Sequence, residues 1–315
     1  MTPPDASPNA PNPSPEASET ASPRRAEARP TVSIVGCGWA GLAVGRGLVQ
    51  DGYAVRGSTT RDERRSALAN AGIEPFVTTL CPDPTPAVPG LFDSDILICT
   101  LPPGRTNADA TPYPDQIAVL MAQAQAHGIR RVVYTSSTGV YPGGDGDVRE
   151  DAVDPRTPHT AGAPQRSTAE AVRAAEQIIV TAYPERSVVL RLGGLFGPGR
   201  HPGRFIAGRT DVARPEGPVN MVHQADVVGA IQAAVSQQEV HGAFNVVAPQ
   251  HPTRRAFYEA AARDYGGEPP TFAEEPASGG KRVLADKLMQ TFGYSFVHPD
   301  PAALFQRDAP DASQV

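Results

Sequence analysis

Four groups of residues in this chain have the types and spacing to do chemistry. The first is Gly36-x-Gly38-x-x-Gly41, with Cys37, Trp39 and Ala40 between the glycines. A β-branched run precedes it and helix-forming residues follow. In a dinucleotide-binding βαβ unit the first glycine makes the tight turn, the second admits a pyrophosphate against the backbone, and the third lets helix and strand pack closely. Free N–H groups and the helix dipole would then hold the phosphates. The second group is Ser58, Thr59 and Arg61, about 20 residues further on, where an NAD site would carry an acid for the ribose 2′-OH. Hydroxyls and an arginine suit a 2′-phosphate, so NADP is expected over NAD, with NAD still open.

The third group is the row Thr135, Ser136, Ser137 and Thr138, followed by Tyr141, at the end of an apolar run. Hydroxyls at the carboxyl end of a strand are candidates for a site. The fourth is Phe196-Gly-Pro-Gly-Arg200-His201-Pro-Gly-Arg204-Phe205, with Arg209 just beyond. Guanidinium forks match carboxylate or phosphate, so Arg200, His201 and Arg204 are candidates for an anionic substrate group. His223 is a further candidate on the substrate side.

Alternating elements must position these groups. A helix over 42–51 follows the glycines, then a strand over 53–58 and a charged helix over 61–71. Strands are expected at 75–80 and 95–101, the latter apolar throughout, as a strand covered on both faces should be. Leu101, Pro102 and Pro103 end it at the carboxyl edge, where dinucleotides lie in open α/β sheets. A helix over 117–127 and a strand over 131–136 follow. Ser167-x-x-Glu170 is a capping box for a helix with Ala171, Ala175, Ile178 and Ala182 on its core face. One strand over 187–195, a helix after Asp226, a strand over 243–247 and a Thr253-capped helix to 265 complete the pattern, before a Pro-rich finish. Strand–helix alternation makes a parallel doubly wound α/β sheet the expected fold.

Composition narrows the function classes. Residues 1–30 are Pro-, Ser- and Ala-rich and read as a disordered tail without a signal or transit pattern. No apolar run approaches the ~18 residues of a spanning helix, so no membrane role is expected. The net charge of −6 argues against nucleic-acid binding. The three cysteines, Cys37, Cys81 and Cys99, lack ligand-like spacing. They read as reduced residues of a cytoplasmic protein, and no metal is expected. Basic residues are nearly all arginine, the only lysines being Lys281 and Lys287.

Taken in order, GCGWAG, TSSTGVYP, LRLGGLFGPGR, NMVHQADVVGAI and AFNVVAP resemble the extended short-chain dehydrogenase/reductases, the NAD-dependent epimerase/dehydratase group. The likeness is narrower still to an atypical, YeeZ-like branch. It covers residues 31–300 and implies a Rossmann-type sheet over 31–195, which also takes in 220–249. A small C-terminal substrate lobe would come from 196–219 and 250–305. By the same likeness Ser137 matches the active-site Ser/Thr, 196–209 lines the substrate side, and 220–226 sits at the lobe junction. Tyr141 is then the best-placed proton donor.

One departure matters. The family's Tyr-x-x-x-Lys is absent, and alignment by Glu176 puts Thr168 and Val172 in its two places. A threonine hydroxyl titrates far too high for general acid–base work. The leading expectation is an atypical NAD(P)-dependent oxidoreductase or epimerase-like enzyme acting on a small anionic or nucleotide-linked molecule, with a homodimer left open. A second reading is a non-catalytic NADP(H)-sensing protein. GCGWAG and ILICTLPP also resemble β-hydroxyacid dehydrogenases, a third reading that needs an all-helical second domain and a mid-chain lysine.

Overall fold

The computed structural model describes residues 29–79, 88–104, 112–157, 167–274 and 279–305. The expected tail lies outside the described residues up to residue 28, as do Leu80 and Cys81. Seven strands form one parallel sheet: β1 (Val32–Val35), β2 (Val55–Thr59), β3 (Glu74–Val77), β4 (Ile96–Cys99), β5 (Arg131–Ser137), β7 (Ser187–Leu192) and β10 (Gly242–Val246). Their spatial order is β10-β7-β5-β4-β1-β2-β3. From β1 the chain crosses one way to β2 and β3, then returns to place β4 on the other flank, pairing Val32 with Ile96 and Val35 with Cys99. That reversal leaves a crevice at the carboxyl ends of β1 and β4, the place where ligands bind in doubly wound sheets. The chain is a Rossmann-type α/β protein.

Apolar residues cover both faces. Val44 and Leu48 of α1 (Trp39–Gln50) pack on one face with Ile231 and Ala234 of α6 (Gln224–Ser236). Ile117, Leu120 and Met121 of α3 (Tyr113–Ala126) cover the other with Ala175 and Ile179 of α4 (Thr168–Ala182). Both expected caps form: Ser167 and Glu170 complete a capping box, and the Thr253 hydroxyl accepts from Ala256 N–H at 3.1 Å at the head of α7 (Arg254–Asp264). Among the described residues no helix is long and apolar enough to cross a membrane.

Several expectations shift. The helix expected over 61–71 is a single 3-10 turn, Asp62–Arg64, followed by the short α2 (Arg65–Ala69). The strand expected over 187–195 breaks at Gly193. A Cβ there would stand 2.7 Å from the Asn220 carbonyl oxygen. The chain therefore leaves the main sheet and forms β8 (Gly194–Phe196), paired with β9 (Met221–His223). A second small sheet joins β6 (Gly146–Val148) to the distant β11 (Lys281–Val283), just before α8 (Asp286–Phe292). On α4 the fully buried face is Ala171, Val172, Ala175, Glu176 and Ile179, not the one through Ile178 and Ala182. The rotation has a cause, because Glu176 turns inward to a buried arginine.

Candidate functional site

Each glycine of the motif answers to a contact. Gly36 has φ +99°, and a Cβ there would lie 3.0 Å from the Leu101 amide nitrogen. At Gly41 a Cβ would come within 2.5 Å of the Gly36 carbonyl oxygen and 2.7 Å of Thr100 Oγ1. Above Gly38 the space is open, with nothing nearer than 3.8 Å. The turn is tied down on both sides. Gly36 N–H donates to Ser58 Oγ at 3.1 Å, Cys37 N–H to the Ser58 carbonyl at 2.8 Å, and Thr100 Oγ1 to the Gly36 carbonyl at 2.7 Å. No side chain caps α1 at Gly38, so its first N–H groups face the crevice. The helix starts inside the motif, three residues earlier than expected, which brings those groups closer to the glycines.

The crevice is a cleft of about 670 Å³. Residues 35–41, 58–61 and 100–102 line it, and so do Arg64, Thr78, Thr79, Leu195 and Arg200. Of the expected cofactor residues, Pro103 and Ser136 are not on that wall. Ser136 faces the interior and donates to Glu176 Oε1 at 2.5 Å, because successive strand residues point to opposite faces. Arg61 is exposed and 3.8 Å from Glu63. Arg64 was invisible to sequence reasoning, since a regular helix would not fix where it points. The 3-10 turn sets it on the cleft wall, half-buried and without an ion pair among the described residues. Among the described lining residues the cleft has three arginines and no carboxylate. Burial pushes the Cys37 thiol up to about 12, so it packs the turn rather than reacting.

Ser137, next to the buried Ser136, is exposed at the end of β5. Its oxygen accepts from Gly139 N–H at 3.1 Å, and among the described residues no acceptor takes its hydroxyl proton. Tyr141 is a correction. It is 3% exposed, and its hydroxyl donates to Asn245 Oδ1 at 2.7 Å while accepting from Arg191 Nη1 at 3.0 Å. Burial raises its pKa despite the neighbouring guanidinium. It belongs to a buried network, not to the mouth of a site. Arg191 is the hub. Its Nε and Nη2 grip Glu176 at 3.0 and 2.7 Å, and its remaining N–H groups reach Tyr141 and the carbonyls of Glu150 and Val153.

A second cavity of about 880 Å³ lies beyond β8. Arg200, Arg209, Arg254 and Tyr258 line it, and Leu195 and Arg200 also line the first cleft. Arg254 Nε is buried with no hydrogen-bond partner among the described residues. The other three expected substrate residues are elsewhere. His201 Nε2 is 2.9 Å from Asp264 Oδ2 and Nδ1 accepts from Gly203 N–H, a brace from loop to α7. Arg204 is exposed beside it, away from the cavity wall. His223 caps α6 by accepting Ala225 N–H at 3.2 Å, with its ring against His298 and Phe196. Asn220 and Asp226 join distant segments: Asn220 bonds the backbone of Lys281 and Val283, and Asp226 accepts from Val297 and His298 N–H.

The cap gives a pH dependence. Burial, then the neighbouring His298, holds the His223 pKa below the ordinary value, and burial does the same for His251. The unfolded chain therefore binds protons first, so stability is whole above about pH 6.5 and falls as the pH drops below it. Denaturant unfolding at pH 7.5 and 5.5 should give the lower midpoint at 5.5. His223→Asn, which still caps, should narrow the difference; a higher midpoint at 5.5 would contradict the assignment.

The model of the NAD dependent epimerase/dehydratase family matches residues 115–246. Protein YeeZ of Escherichia coli K12 is 36% identical over 280 residues, covering 87% of this chain and 98% of the relative. A functionally unknown conserved protein from Silicibacter pomeroyi DSS superposes with TM-score 0.63 at 24% identity, over 88% of this chain and 96% of its own. UDP-glucuronic acid 4-epimerase from Bacillus cereus, solved with UDP-glucuronic acid and NAD, gives TM-score 0.67 at 13% identity, over 87% and 96%. The all-helical second domain of a β-hydroxyacid dehydrogenase is not found among the described residues: after β7 the chain returns to the sheet as β10.

Proposed function

The chain belongs to the NAD-dependent epimerase/dehydratase family, and from that premise we propose an NAD(P)-dependent oxidoreductase or epimerase-like enzyme, NADP-preferring, acting on a small anionic or nucleotide-linked substrate. The observation that carries this reading is the meeting of two cavities at Leu195 and Arg200. One has the open Gly38 and the uncapped head of α1, which fit a dinucleotide's diphosphate. The other has, among its described lining residues, three arginines, Arg200, Arg209 and Arg254, against one carboxylate, Asp211, a balance that suits an anionic group. The cofactor, when bound, supplies hydride transfer. The chain's own part is to bind, orient and polarise. Arg209 and Arg254 would hold the substrate's anionic group, with Tyr258 as a stacking face. Ser137, exposed at the end of β5 and on neither cavity's wall, would donate its hydroxyl proton to the reacting oxygen of a substrate that reaches out to it. Residues 196–219 and 250–305 form the substrate lobe in this reading, and the cytoplasm is the inferred compartment, in keeping with the free thiols of Cys37 and Cys99.

Ser58, Thr59, Arg61 and Arg64 support the 2′-phosphate preference, since two cations and no acid face that end of the cleft. Trp39 reports on it directly: the only tryptophan, it sits between Gly38 and Gly41. Its emission should quench on titration with NADPH at a Kd about 10-fold below that for NADH, a difference of roughly 1.4 kcal/mol. Tighter NADH binding would reverse the preference but keep the cofactor. The non-catalytic sensor is the second reading. It is favoured by Thr168 and Val172, one exposed and one in the core, where the family's tyrosine and lysine would stand. NADPH consumption over a panel of carbonyl compounds and nucleotide sugars separates the two.

A further inference from the structure

We propose that Arg200 is a ligand of the dinucleotide's diphosphate, delivered across the cleft by a loop that otherwise belongs to the substrate side. The inference rests on the cofactor reading above. Trp39 is the first residue of α1 and adjoins the open Gly38. The Arg200 guanidinium lies over its indole, 5.5 Å from the ring centroid, and lines the cleft in which the glycine turn stands. The loop is tied to Trp39, and Trp39 is tied in turn to α6. Trp39 Nε1–H donates to the Pro198 carbonyl at 2.7 Å, and Gln224 Nε2–H donates to the Trp39 carbonyl at 2.9 Å. A turn in which Arg200 N–H reaches the Gly197 carbonyl at 2.8 Å fixes where the side chain leaves the backbone.

No carboxylate pairs with Arg200 among the described residues, and none stands on the cleft wall beside it. An unpaired cation beside the positive end of a helix is unfavourable until an anion sits between them. A diphosphate over Gly38 would meet α1's N–H groups on one side and a guanidinium fork on the other, the geometry that suits bidentate binding. The stacked indole holds the fork flat for that purpose.

The test uses calorimetric titration of the full chain and its Arg200→Ala and Arg200→Lys variants with NADPH and NADH, alongside ³¹P spectra of the bound dinucleotide. Thermal unfolding checks that each variant is folded. Arg200→Ala should weaken the preferred dinucleotide at least ~10-fold, and Arg200→Lys, which keeps charge but not the fork, by less. The diphosphate ³¹P resonances should move in both variants while a 2′-phosphate resonance stays. Binding within twofold of wild type, with unmoved diphosphate signals, would overturn the role of Arg200 and leave the cofactor site standing. Failure of the unaltered chain to bind either dinucleotide would overturn the cofactor reading, and this one with it.

Discussion

Arg191→Ala is expected to cost about 3–5 kcal/mol of stability, the scale for breaking a buried ion pair by removing one partner. Both side chains are shut away from water, Arg191 at 0% and Glu176 at 1% exposure. All five guanidinium N–H groups have acceptors, so the desolvated charge is fully compensated in the native chain. Removing it strands the Glu176 carboxylate and takes a donor from the Tyr141 hydroxyl and the carbonyls of Glu150 and Val153. Global stabilities of about 5–15 kcal/mol leave little after such a loss. The variant should therefore unfold at a much lower denaturant concentration, or fail to accumulate. Arg191→Met combined with Glu176→Leu, which removes both charges and keeps volume, should recover most of the loss. If the double variant is no better than the single one, the damage lies in the carbonyl and tyrosine contacts rather than in the stranded charge.

The second large effect separates binding from folding within one motif. Gly38→Ala adds a Cβ that meets no protein atom nearer than 3.8 Å, so stability should change by less than ~1 kcal/mol. In the proposed cofactor site that methyl group would stand where the diphosphate approaches. The preferred dinucleotide should bind at least ~100-fold more weakly, a loss of roughly 2.7 kcal/mol. Gly41→Ala is different. Its Cβ would be driven against backbone, 2.5 Å from the Gly36 carbonyl oxygen, and against Thr100 Oγ1. Neither neighbour is the end of a flexible chain, so α1 must move away from β1 at a cost of about 1–3 kcal/mol. Both affinity and unfolding midpoint should fall. Paired calorimetry and denaturation on the two variants give the answer; a Gly38→Ala chain that binds normally would remove the diphosphate from this turn.

What could be read from the residues was what they dictate locally. Gly36 and Gly41 are demanded by a turn and a contact within a few residues of themselves, and the sequence spacing carries that demand. Ser167 and Thr253 cap their helices through amides three residues away. Ile96–Cys99 is apolar on both faces because helices lie on both. The failures share the opposite trait. Tyr141 looked available because nothing nearby in sequence occupies its hydroxyl; Arg191 and Asn245, 50 and 104 residues on, do so. A one-residue change of face put Ser136 on Glu176 and left Ser137 outside, a distinction no pattern of four consecutive hydroxyl residues contains. Glu176, polar on an otherwise apolar helix face, was the available hint of a buried cation. Arg254 reaches the second cavity only because α7 packs beside α5 (Gly203–Ile206), where even one Cβ on Gly203 would collide with the Ala261 carbonyl oxygen.

The pairing of β6 with β11 also sets a schedule for the chain as it is made. Gly146–Val148 has no partner strand until Lys281–Val283 exists. At translation rates of about 5–20 residues per second, the 135 residues from Asp147 to Arg282 take on the order of ten seconds to appear. Through that interval the nascent main sheet can gather all seven of its strands, β10 included, while Asn220 and Asn245 wait for backbone partners at Lys281, Val283 and Leu284. The last strand among the described residues thus supplies the partners that β6, Asn220 and Asn245 lack until then. A chain stopped short of residue 281 would lack that closure however well its first two hundred residues had folded.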